Sequence, residues 1–368
     1  MAEEMNAVQI TAHETGKYSK VELRRVRKPS CGPDQALIKV KGAAICGSDV
    51  HYANGDWATR GKPPITMGHE FCGEIEVLGE NAKGFQVGDR VVCELPVGFC
   101  GTCKMCTSGY RNLCYNKLAP GIDIDGAYAQ YVAMPVNLLH KLADNISYTA
   151  AAVMEPASIV STGILRCPVK PGDFVVVFGA GTLGLSAVQM AKAMGAKKVV
   201  LVEYDNKVRG EMGRKLGADA VYYSSEMGRN VPTPAGTMAG DIVPIILGMS
   251  DDGHGADLVI ECSGAEEALA DAMFLLRRNG NILYVGVPRG PITVDTRVLV
   301  SQSINMITSY ASSPAGWKMV LDLVEMGKLD LESLVTNKYP LEDFDQAFDV
   351  LMNTRSAIKC VLMPNGEI

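Results

Sequence analysis

Two hydrophobic patterns divide the chain at the Pro-Gly pair at 171–172. Before that pair, short segments alternate apolar and polar residues between Gly and Pro, which is the pattern of half-buried β-strands. The clearest of these segments are 21–26, 35–41, 74–79 and 87–92. This first part of the chain is therefore predicted to be β-rich and barrel-like rather than helical.

After the pair, apolar runs typical of strands alternate with stripes at helical spacing. Residues 174–178 form a continuous apolar run, typical of a parallel strand that is covered on both faces. Small or apolar residues then recur on one helical face, at 184, 187, 188, 191 and 194. Further strands are predicted at 199–202, 257–261 and 281–286, and a helix at 265–277. This alternation predicts an α/β fold with a doubly wound parallel sheet.

The composition excludes several classes of protein. A chain of 368 residues, 47% hydrophobic and 21% charged, has room for roughly two or three domains and is neither collagen-like nor disordered. Its net charge of −6 lacks the basic surplus of a nucleic-acid-binding protein. The first residues contain no apolar run, and glycines interrupt the apolar stretch 174–191, so neither a signal peptide nor a membrane helix is predicted. We expect a cytoplasmic protein without nucleic-acid or membrane partners.

The cysteines indicate a metal site. There are 11 of them, an odd number that disfavours a disulfide framework. Four thiols at short intervals can surround one tetrahedral ion and leave no position open, which suits a structural Zn²⁺. An iron–sulfur cluster is the competing interpretation, but no Pro follows the last cysteine, unlike the ferredoxin pattern. The predicted zinc ligands are Cys100, Cys103, Cys106 and Cys114.

A glycine-rich segment follows the first strand of the α/β part and begins a helix. In that context Gly-x-Gly-x-x-Gly is typical of a dinucleotide-binding turn. The first glycine permits the turn, the second lets the backbone approach a pyrophosphate, and the third allows close packing of helix on strand. The helix N-terminus supplies N–H donors to the phosphates. The predicted cofactor-binding residues of this loop are Gly179, Gly181, Thr182, Leu183 and Gly184.

An acidic residue about twenty positions further on indicates which cofactor is bound. Glu203 ends the second predicted strand, where a carboxylate accepts hydrogen bonds from a ribose 2′-hydroxyl and repels a 2′-phosphate. We therefore expect NAD. Lys207 and Arg209 lie close enough along the chain to keep NADP as the alternative.

A second set of metal-ligand types lies in and just after the β-rich part. Cys46 and His51 belong to one segment, His69 and Glu70 to another, and Glu155 stands just before the dinucleotide unit. Thiolate, imidazole and carboxylate groups all bind zinc, and a catalytic site uses three of them and keeps one position open. A single Cys or His is more often a buried packing residue, so this interpretation depends on the neighbouring nicotinamide-type fold.

The order of these motifs resembles that of a known family, the zinc-containing medium-chain alcohol dehydrogenases. Within it, the chain is most similar to the branch of sorbitol and other polyol dehydrogenases. The similarity covers nearly the whole chain, and its motifs are Cys46-Gly-Ser-Asp-Val-His51, Gly68-His69-Glu70, Cys100-Gly-Thr-Cys-Lys-Met-Cys106, Met154-Glu-Pro-Ala-Ser158, Gly179-Ala-Gly-Thr-Leu-Gly184, Asp257-Leu-Val-Ile-Glu-Cys-Ser-Gly264 and Lys338-Tyr-Pro-Leu-Glu342.

The resemblance implies two zinc ions per chain, one catalytic and one structural. Cys46 and His69 would bind the catalytic zinc, with Glu70 as a third or exchanging ligand. Glu155 stands where the polyol branch has a glutamate and would bind zinc or hold a water beside it. Asp49 would hold the imidazole of His69 in place.

The resemblance also implies how protons move. Ser48 would contact the substrate oxygen, and His51 would stand further along the proton path. The implied reaction is hydride transfer between a secondary hydroxyl of a polyol or sugar-like alcohol and NAD. The alternatives are an aldose (glucose-type) or threonine-type zinc dehydrogenase and, more distantly, an NAD-binding protein without catalysis.

The implied architecture has two domains. A GroES-like catalytic domain would comprise 1–157 and 299–368, with the structural zinc lobe at about 93–116, and a Rossmann domain would comprise 158–298. The resemblance points to a homotetramer, with a dimer as the alternative. The particular substrate and its stereochemistry do not follow from the sequence.

Overall fold

A computed structural model describes residues 3–13, 19–56, 60–233, 238–354 and 356–366. The chain divides into two compact units. The first unit comprises Met1–Pro156, Ala311–Glu325 and Leu331–Ile368, and the second comprises Ala157–Tyr310 and Met326–Asp330.

The strands in chain order are β1 (Glu4–Ala12), β2 (Lys20–Arg27), β3 (Gln35–Ala44), β4 (Ile65–Thr66), β5 (Glu70–Leu78), β6 (Arg90–Cys93), β7 (Tyr131–Pro135), β8 (Leu139–Lys141), β9 (Phe174–Phe178), β10 (Lys198–Glu203), β11 (Ala220–Tyr223), β12 (Val231–Pro232), β13 (Met238–Ala239), β14 (Ala256–Glu261), β15 (Leu276–Tyr284), β16 (Asn305–Thr308), β17 (Val335–Pro340) and β18 (Lys359–Met363).

The α-helices are α1 (Gly47–Ala53), α2 (Lys104–Thr107), α3 (Tyr148–Ala151), α4 (Met154–Arg166), α5 (Thr182–Ala193), α6 (Lys207–Lys215), α7 (Ile242–Leu247), α8 (Glu266–Leu275), α9 (Thr296–Gln302), α10 (Pro314–Glu325) and α11 (Phe344–Asn353). Short 3-10 helices occupy Arg111–Leu113, Val136–Leu138, Ser224–Glu226, Glu332–Leu334 and Leu341–Asp343.

The first unit is built on a sheet in the order β17-β18-β3-β5-β6-β8, with β7 also paired to β3. The antiparallel register sets Ala44, the last residue of β3, opposite Glu70, the first residue of β5. Strand β18 lies on the other side of β3, and the Ile45 N–H donates to the Cys360 carbonyl at 2.9 Å. The residues just beyond the end of β3 are thereby brought to the starts of β5 and β18. Cys46, His69 and Glu70, which the sequence analysis singled out as candidate zinc ligands, lie at this end of the sheet.

The second unit contains one parallel sheet in the order β11-β10-β9-β14-β15-β16. From β9 the chain proceeds through β10 to β11, and it then returns to the other side of β9 as β14. This reversal is a topological switch point, where open α/β sheets bind ligands beyond the carboxyl ends of their strands. The predicted doubly wound fold is confirmed. The strand predicted at 174–178 matches β9 residue for residue, and the helix predicted at 265–277 is α8.

The two compact units differ from the predicted domains at two segments and one boundary residue. The prediction places 299–310, 326–330 and residue 157 in the first domain, but they belong to the second unit. For 299–310 the reason is strand pairing, since β16 runs parallel to β15 with Ile307 opposite Leu283. A short strand at a sheet edge carries little pattern of its own, and its pairing becomes visible only in the fold.

The helices are short relative to a membrane. Among the residues that the structure describes, no helix has the length and apolar character needed to cross a bilayer.

Candidate active site

Helix α1 begins directly after its N-cap residue, Cys46, because the side chain of Asp49 caps the helix. Cys46 has extended backbone angles at the N-cap position, and its N–H donates to Asp49 Oδ2 at 2.9 Å. This is one half of a capping box, and it pulls the aspartate back over the start of the helix. Asp49 is fully buried as a result. Cys46 and Asp49 therefore lie side by side at the end of β3.

His69 reaches the same place from the start of β5. The preceding Gly68 has φ +91°, a left-handed conformation that favours glycine. The imidazole Nδ1 lies 3.2 Å from Asp49 Oδ1, and Nε2 lies 3.3 Å from Ser48 Oγ. A neutral ring with its proton on Nδ1, facing this carboxylate, would present the lone pair of Nε2 to a metal.

Three ligand atoms converge at this point. One atom each from Cys46, His69 and Glu70 lies within 4.8 Å of the other two, and the last two residues are buried. A cysteine sulfur, an imidazole and a carboxylate in one group form a donor set that suits Zn²⁺. The burial of Asp49 agrees with a supporting role: the His69 imidazole and nearby donors hold the pKa of its carboxyl below the usual range, although burial alone would raise it.

Lys359 is a site residue that the sequence analysis missed. Its ammonium lies 2.8 Å and 2.6 Å from the two oxygens of Glu70, and both side chains are almost completely buried. Burial by itself would lower the pKa of Lys359, but the charges of Glu70, Cys46 and Asp49 raise it. The available signal was a lysine within the apolar segment 357–363, since a buried lysine requires an anion.

Glu155 approaches the same group from the first turn of α4. Its side chain is buried, and burial raises the pKa of its carboxyl to about 7, with His69 and Glu70 acting in opposite directions. Its oxygens are not among the described ligand atoms that lie within 4.8 Å of one another. The structure therefore brings together Cys46, Ser48, His69 and Glu70, and it places Glu155 within electrostatic reach of them.

His51 is held by a residue that the sequence analysis did not single out. It lies in the last turn of α1, and its Nδ1 is 2.6 Å from Asp56 Oδ2. Both side chains are partly exposed to solvent. Because Asp56 engages Nδ1, the lone pair of a neutral His51 lies on Nε2.

The four clustered cysteines have the geometry of a closed tetrahedral site. With a zinc–sulfur distance near 2.3 Å, tetrahedral geometry separates the sulfurs by about 3.8 Å. Four of the six Sγ–Sγ distances are 3.6, 3.6, 3.9 and 4.0 Å. Backbone N–H groups of Cys100, Cys103 and Asn116 also point at these sulfurs, which favours thiolates. The lobe is tied to the rest of the unit by Arg111, which pairs with the buried Glu94.

The glycine-rich loop of the second unit leaves room for a phosphate. Gly179 has φ +87°, and a Cβ on Gly184 would lie 1.7 Å from the Gly179 carbonyl oxygen. A Cβ on Gly181, which caps the N-terminus of α5, would meet nothing within 4 Å. The Ala180 N–H donates to Glu203 Oε2 at 2.6 Å, so the acid at the end of β10 also holds the loop. The loop, the helix N-terminus and the acid thus fit a dinucleotide.

Comparison with known proteins identifies the family of this chain. The alcohol dehydrogenase GroES-like domain family matches residues 32–144, and the zinc-binding dehydrogenase family matches residues 182–326. A sorbitol dehydrogenase of Halalkalibacterium halodurans is 34% identical over 361 residues, covering 98% of this chain and 99% of the relative. An L-threonine 3-dehydrogenase of Idiomarina loihiensis is 33% identical over 336 residues, covering 90% and 93%.

A solved structure extends the comparison to the fold. A protein described as a zinc-binding dehydrogenase, from Sinorhizobium meliloti 1021 and bound to NADP, superposes with a TM-score of 0.85 at 27% identity. The match covers 98% of this chain and all of that one. The chain belongs to the zinc-containing medium-chain alcohol dehydrogenase family, and it is an oxidoreductase.

Two glycine substitutions should separate the packing role of the loop from its binding role. Gly184→Ala forces α5 away from the Gly179 carbonyl, and we expect it to lower stability by about 1–3 kcal/mol in urea unfolding. Gly181→Ala meets open space, so we expect wild-type stability but at least tenfold weaker NADH binding in fluorescence titration. Wild-type affinity in the Gly181→Ala protein would show that no phosphate approaches this residue.

Replacing Lys359 should test the buried ion pair. Lys359→Met leaves the Glu70 carboxylate buried without its cation, and we expect a loss of about 3–5 kcal/mol in the free energy of unfolding. The matched control is Lys318→Met, which removes an exposed pair with Asp322 and should leave the free energy unchanged within error. Equal effects of the two substitutions would contradict a structural role of the buried pair.

Proposed function

We propose that this protein is an NAD-dependent zinc dehydrogenase that oxidises a secondary hydroxyl of a polyol or sugar-like alcohol. The observation that carries the proposal is the convergence of the half-buried Cys46 with the buried His69 and Glu70 at one point. A protein that only binds NAD has no use for a metal site that is supported by Asp49 and retains a nearby serine. The intact donor set therefore favours catalysis over the non-catalytic alternative.

We assign two zinc ions to each chain. Cys46 and His69 would hold the catalytic zinc, and Glu70 or Glu155 would supply the third ligand. The four cysteines of the lobe would hold the structural zinc, which the spacing of their sulfurs supports. Bound at the first site, zinc would act as a Lewis acid that favours the alkoxide form of a substrate hydroxyl near neutral pH.

The chain's own residues handle the proton and orient the reactants. Ser48 would accept the hydroxyl proton while it releases its own proton towards His51, and His51, oriented by Asp56, would pass that proton to solvent. The glycine-rich loop and Glu203 would hold NAD in place. The overall reaction would transfer a hydride from the carbinol carbon to NAD and release the hydroxyl proton, so that the products would be a ketone, NADH and H⁺.

The relatives support a polyhydroxylated substrate and also define the alternatives. The sorbitol dehydrogenase relative matches over almost the whole length of both chains, which favours a polyol. The threonine dehydrogenase relative is nearly as similar and supports an amino alcohol as the second candidate. An aldose is the third candidate.

We propose NAD as the physiological cofactor. Glu203 lies buried at the end of β10, and its carboxylate would repel a 2′-phosphate. NADP is the alternative cofactor, because the similar Sinorhizobium meliloti structure is bound to NADP. Lys207 is engaged by Glu226, which reduces its capacity to attract a phosphate.

We further propose that the enzyme is a cytoplasmic homo-oligomer, a tetramer or a dimer. None of the 11 cysteines, all of which lie in the described part of the chain, forms a disulfide, which suits a reducing compartment. Large apolar side chains are exposed in the second unit, Val287 at 70% and Val300 at 79% of their surface, and such side chains support self-association.

A substrate panel tests the proposal most directly. The panel comprises polyols, aldoses, threonine and simple alcohols. We expect at least one of the polyols to be oxidised with reduction of NAD, and with much weaker reduction of NADP. A chelator should abolish the activity and zinc should restore it. Cys46→Ala should lose turnover while it keeps NADH binding, and Cys31→Ala, which alters a loop thiol outside both clusters, should behave as wild type.

The outcomes are distinct. Activity restricted to threonine or to aldoses would move the assignment to the corresponding alternative. Full activity of the Cys46→Ala protein would contradict the assignment of the metal site.

Loss of a lobe cysteine should affect stability rather than cofactor binding. A closed metal site contributes folding free energy, so we expect Cys103→Ala to lose one zinc per chain and to lower the thermal midpoint. Metal analysis and calorimetry measure both effects, with Cys31→Ala as the control. A Cys103→Ala protein with two zinc ions and an unchanged midpoint would contradict the structural zinc.

A further inference from the structure

Tyr128 lies beside the candidate catalytic metal site without contributing a ligand. Its side chain is completely buried, and its hydroxyl lies 2.6 Å from Asp49 Oδ2 and 3.1 Å from the Ala44 carbonyl. A phenol has one proton to donate, and the shorter bond to an anionic acceptor is the stronger of the two. The hydroxyl is therefore chiefly a donor to Asp49.

The backbone and the ring of Tyr128 also have close contacts with the segment that precedes His69. Its backbone N–H donates to the Met67 carbonyl at 2.8 Å, and the preceding Ala127 N–H donates to the Gly68 carbonyl at 2.9 Å. A Cβ on Gly68 would lie 2.2 Å from the ring. Tyr128 thus packs against the turn that presents His69, and it bonds at the same time to the carboxylate that holds His69.

Asp49 depends on a small number of donors. Its Oδ2 accepts from the Cys46 N–H at 2.9 Å and from Tyr128, and its Oδ1 faces His69 Nδ1 at 3.2 Å. A buried carboxylate that loses a donor is costly and can rotate to find another partner. Without the phenol, one backbone N–H alone would keep Oδ2 in place.

We propose that Tyr128 is a positioning residue of the metal site, whose hydroxyl orients Asp49 so that Asp49 presents His69 Nε2 to the metal. The proposal rests on the zinc site of the proposed function. Burial, followed by the negative charge of Asp49, raises the pKa of the Tyr128 hydroxyl, so that it keeps its proton and stays a donor. The role is exerted through Asp49, because the hydroxyl contacts neither Cys46 nor His69 in the described hydrogen bonds.

The test is the affinity of the catalytic site for zinc in a Tyr128→Phe variant. Partners of metal-bound histidines are worth about 10–100-fold in affinity, and we expect about tenfold weaker binding in competition with a chromophoric chelator. The Co²⁺-substituted variant should also show altered visible absorption bands. The zinc of the cysteine lobe, measured in the same titration, should be unaffected.

Tyr148→Phe is the matched control. The Tyr148 hydroxyl donates to a carboxylate, Glu74, at the same distance of 2.6 Å, but the side-chain partners described for Glu74 are Tyr148 and Lys41, not the predicted metal ligands. We expect wild-type zinc affinity in this variant. Equal zinc affinities in the Tyr128→Phe and wild-type proteins would overturn the proposal.

A double-mutant cycle distinguishes a role through Asp49 from a role through the other contact of the hydroxyl, the Ala44 carbonyl. If Tyr128 acts through Asp49, Tyr128→Phe should have no further effect on zinc affinity in an Asp49→Ala background, where the acceptor is gone. Additive effects would assign the loss to the contact with Ala44, since phenylalanine keeps the ring, and would overturn the proposal.

Two further outcomes are decisive. Should Tyr128→Phe fail to fold, the double variant, which lacks the buried charge, should recover the fold. A double variant that is also unfolded would contradict a role through Asp49. Wild-type protein that binds only the lobe zinc would contradict the proposed function itself, whereas normal zinc binding with no effect of Tyr128→Phe would overturn this inference alone.

Discussion

The buried carboxylate of Asp49 is the interaction on which the candidate active site depends. It caps helix α1 at Cys46, it fixes the imidazole of His69, and it accepts the hydrogen bond of Tyr128. These contacts involve three different segments of the chain: the start of α1, the start of β5 and the segment before β7. Because one fully buried anion makes all of them, the positions of the thiolate and the imidazole are coupled.

A second constraint is the burial of opposite charges at the same end of the sheet. Glu70 and Lys359 are almost completely enclosed, and each would be costly to bury without the other. Their pairing requires β18, near the end of the chain, to lie against β3 beside the metal ligands. The pair therefore links a late segment of the chain to the candidate metal site.

In the glycine-rich loop, too, a few residues combine a packing role with a proposed binding role. Gly184 is required because the helix lies against the loop carbonyl, while Gly181 has open space around it. Gly184 thus serves the packing of helix α5, and Gly181 would leave room for the phosphates of the proposed cofactor. Glu203 accepts a hydrogen bond from the Ala180 N–H of the loop, and in the proposed NAD site its carboxylate would also face the ribose.

The sequence by itself determined the features that depend on local pattern or on motif spacing. The parallel strand at 174–178, the helix α8, the glycine-rich turn and the four-cysteine cluster all follow from neighbouring residues. Only the tertiary structure decided what depends on strands pairing across long separations. The register of β3, β5 and β18 brings Lys359 to Glu70, and the pairing of β16 with β15 moves 299–310 to the second unit. The role inferred for Tyr128 belongs to the same class, because a tyrosine 79 positions from Asp49 carries no sign of their hydrogen bond until the chain has folded.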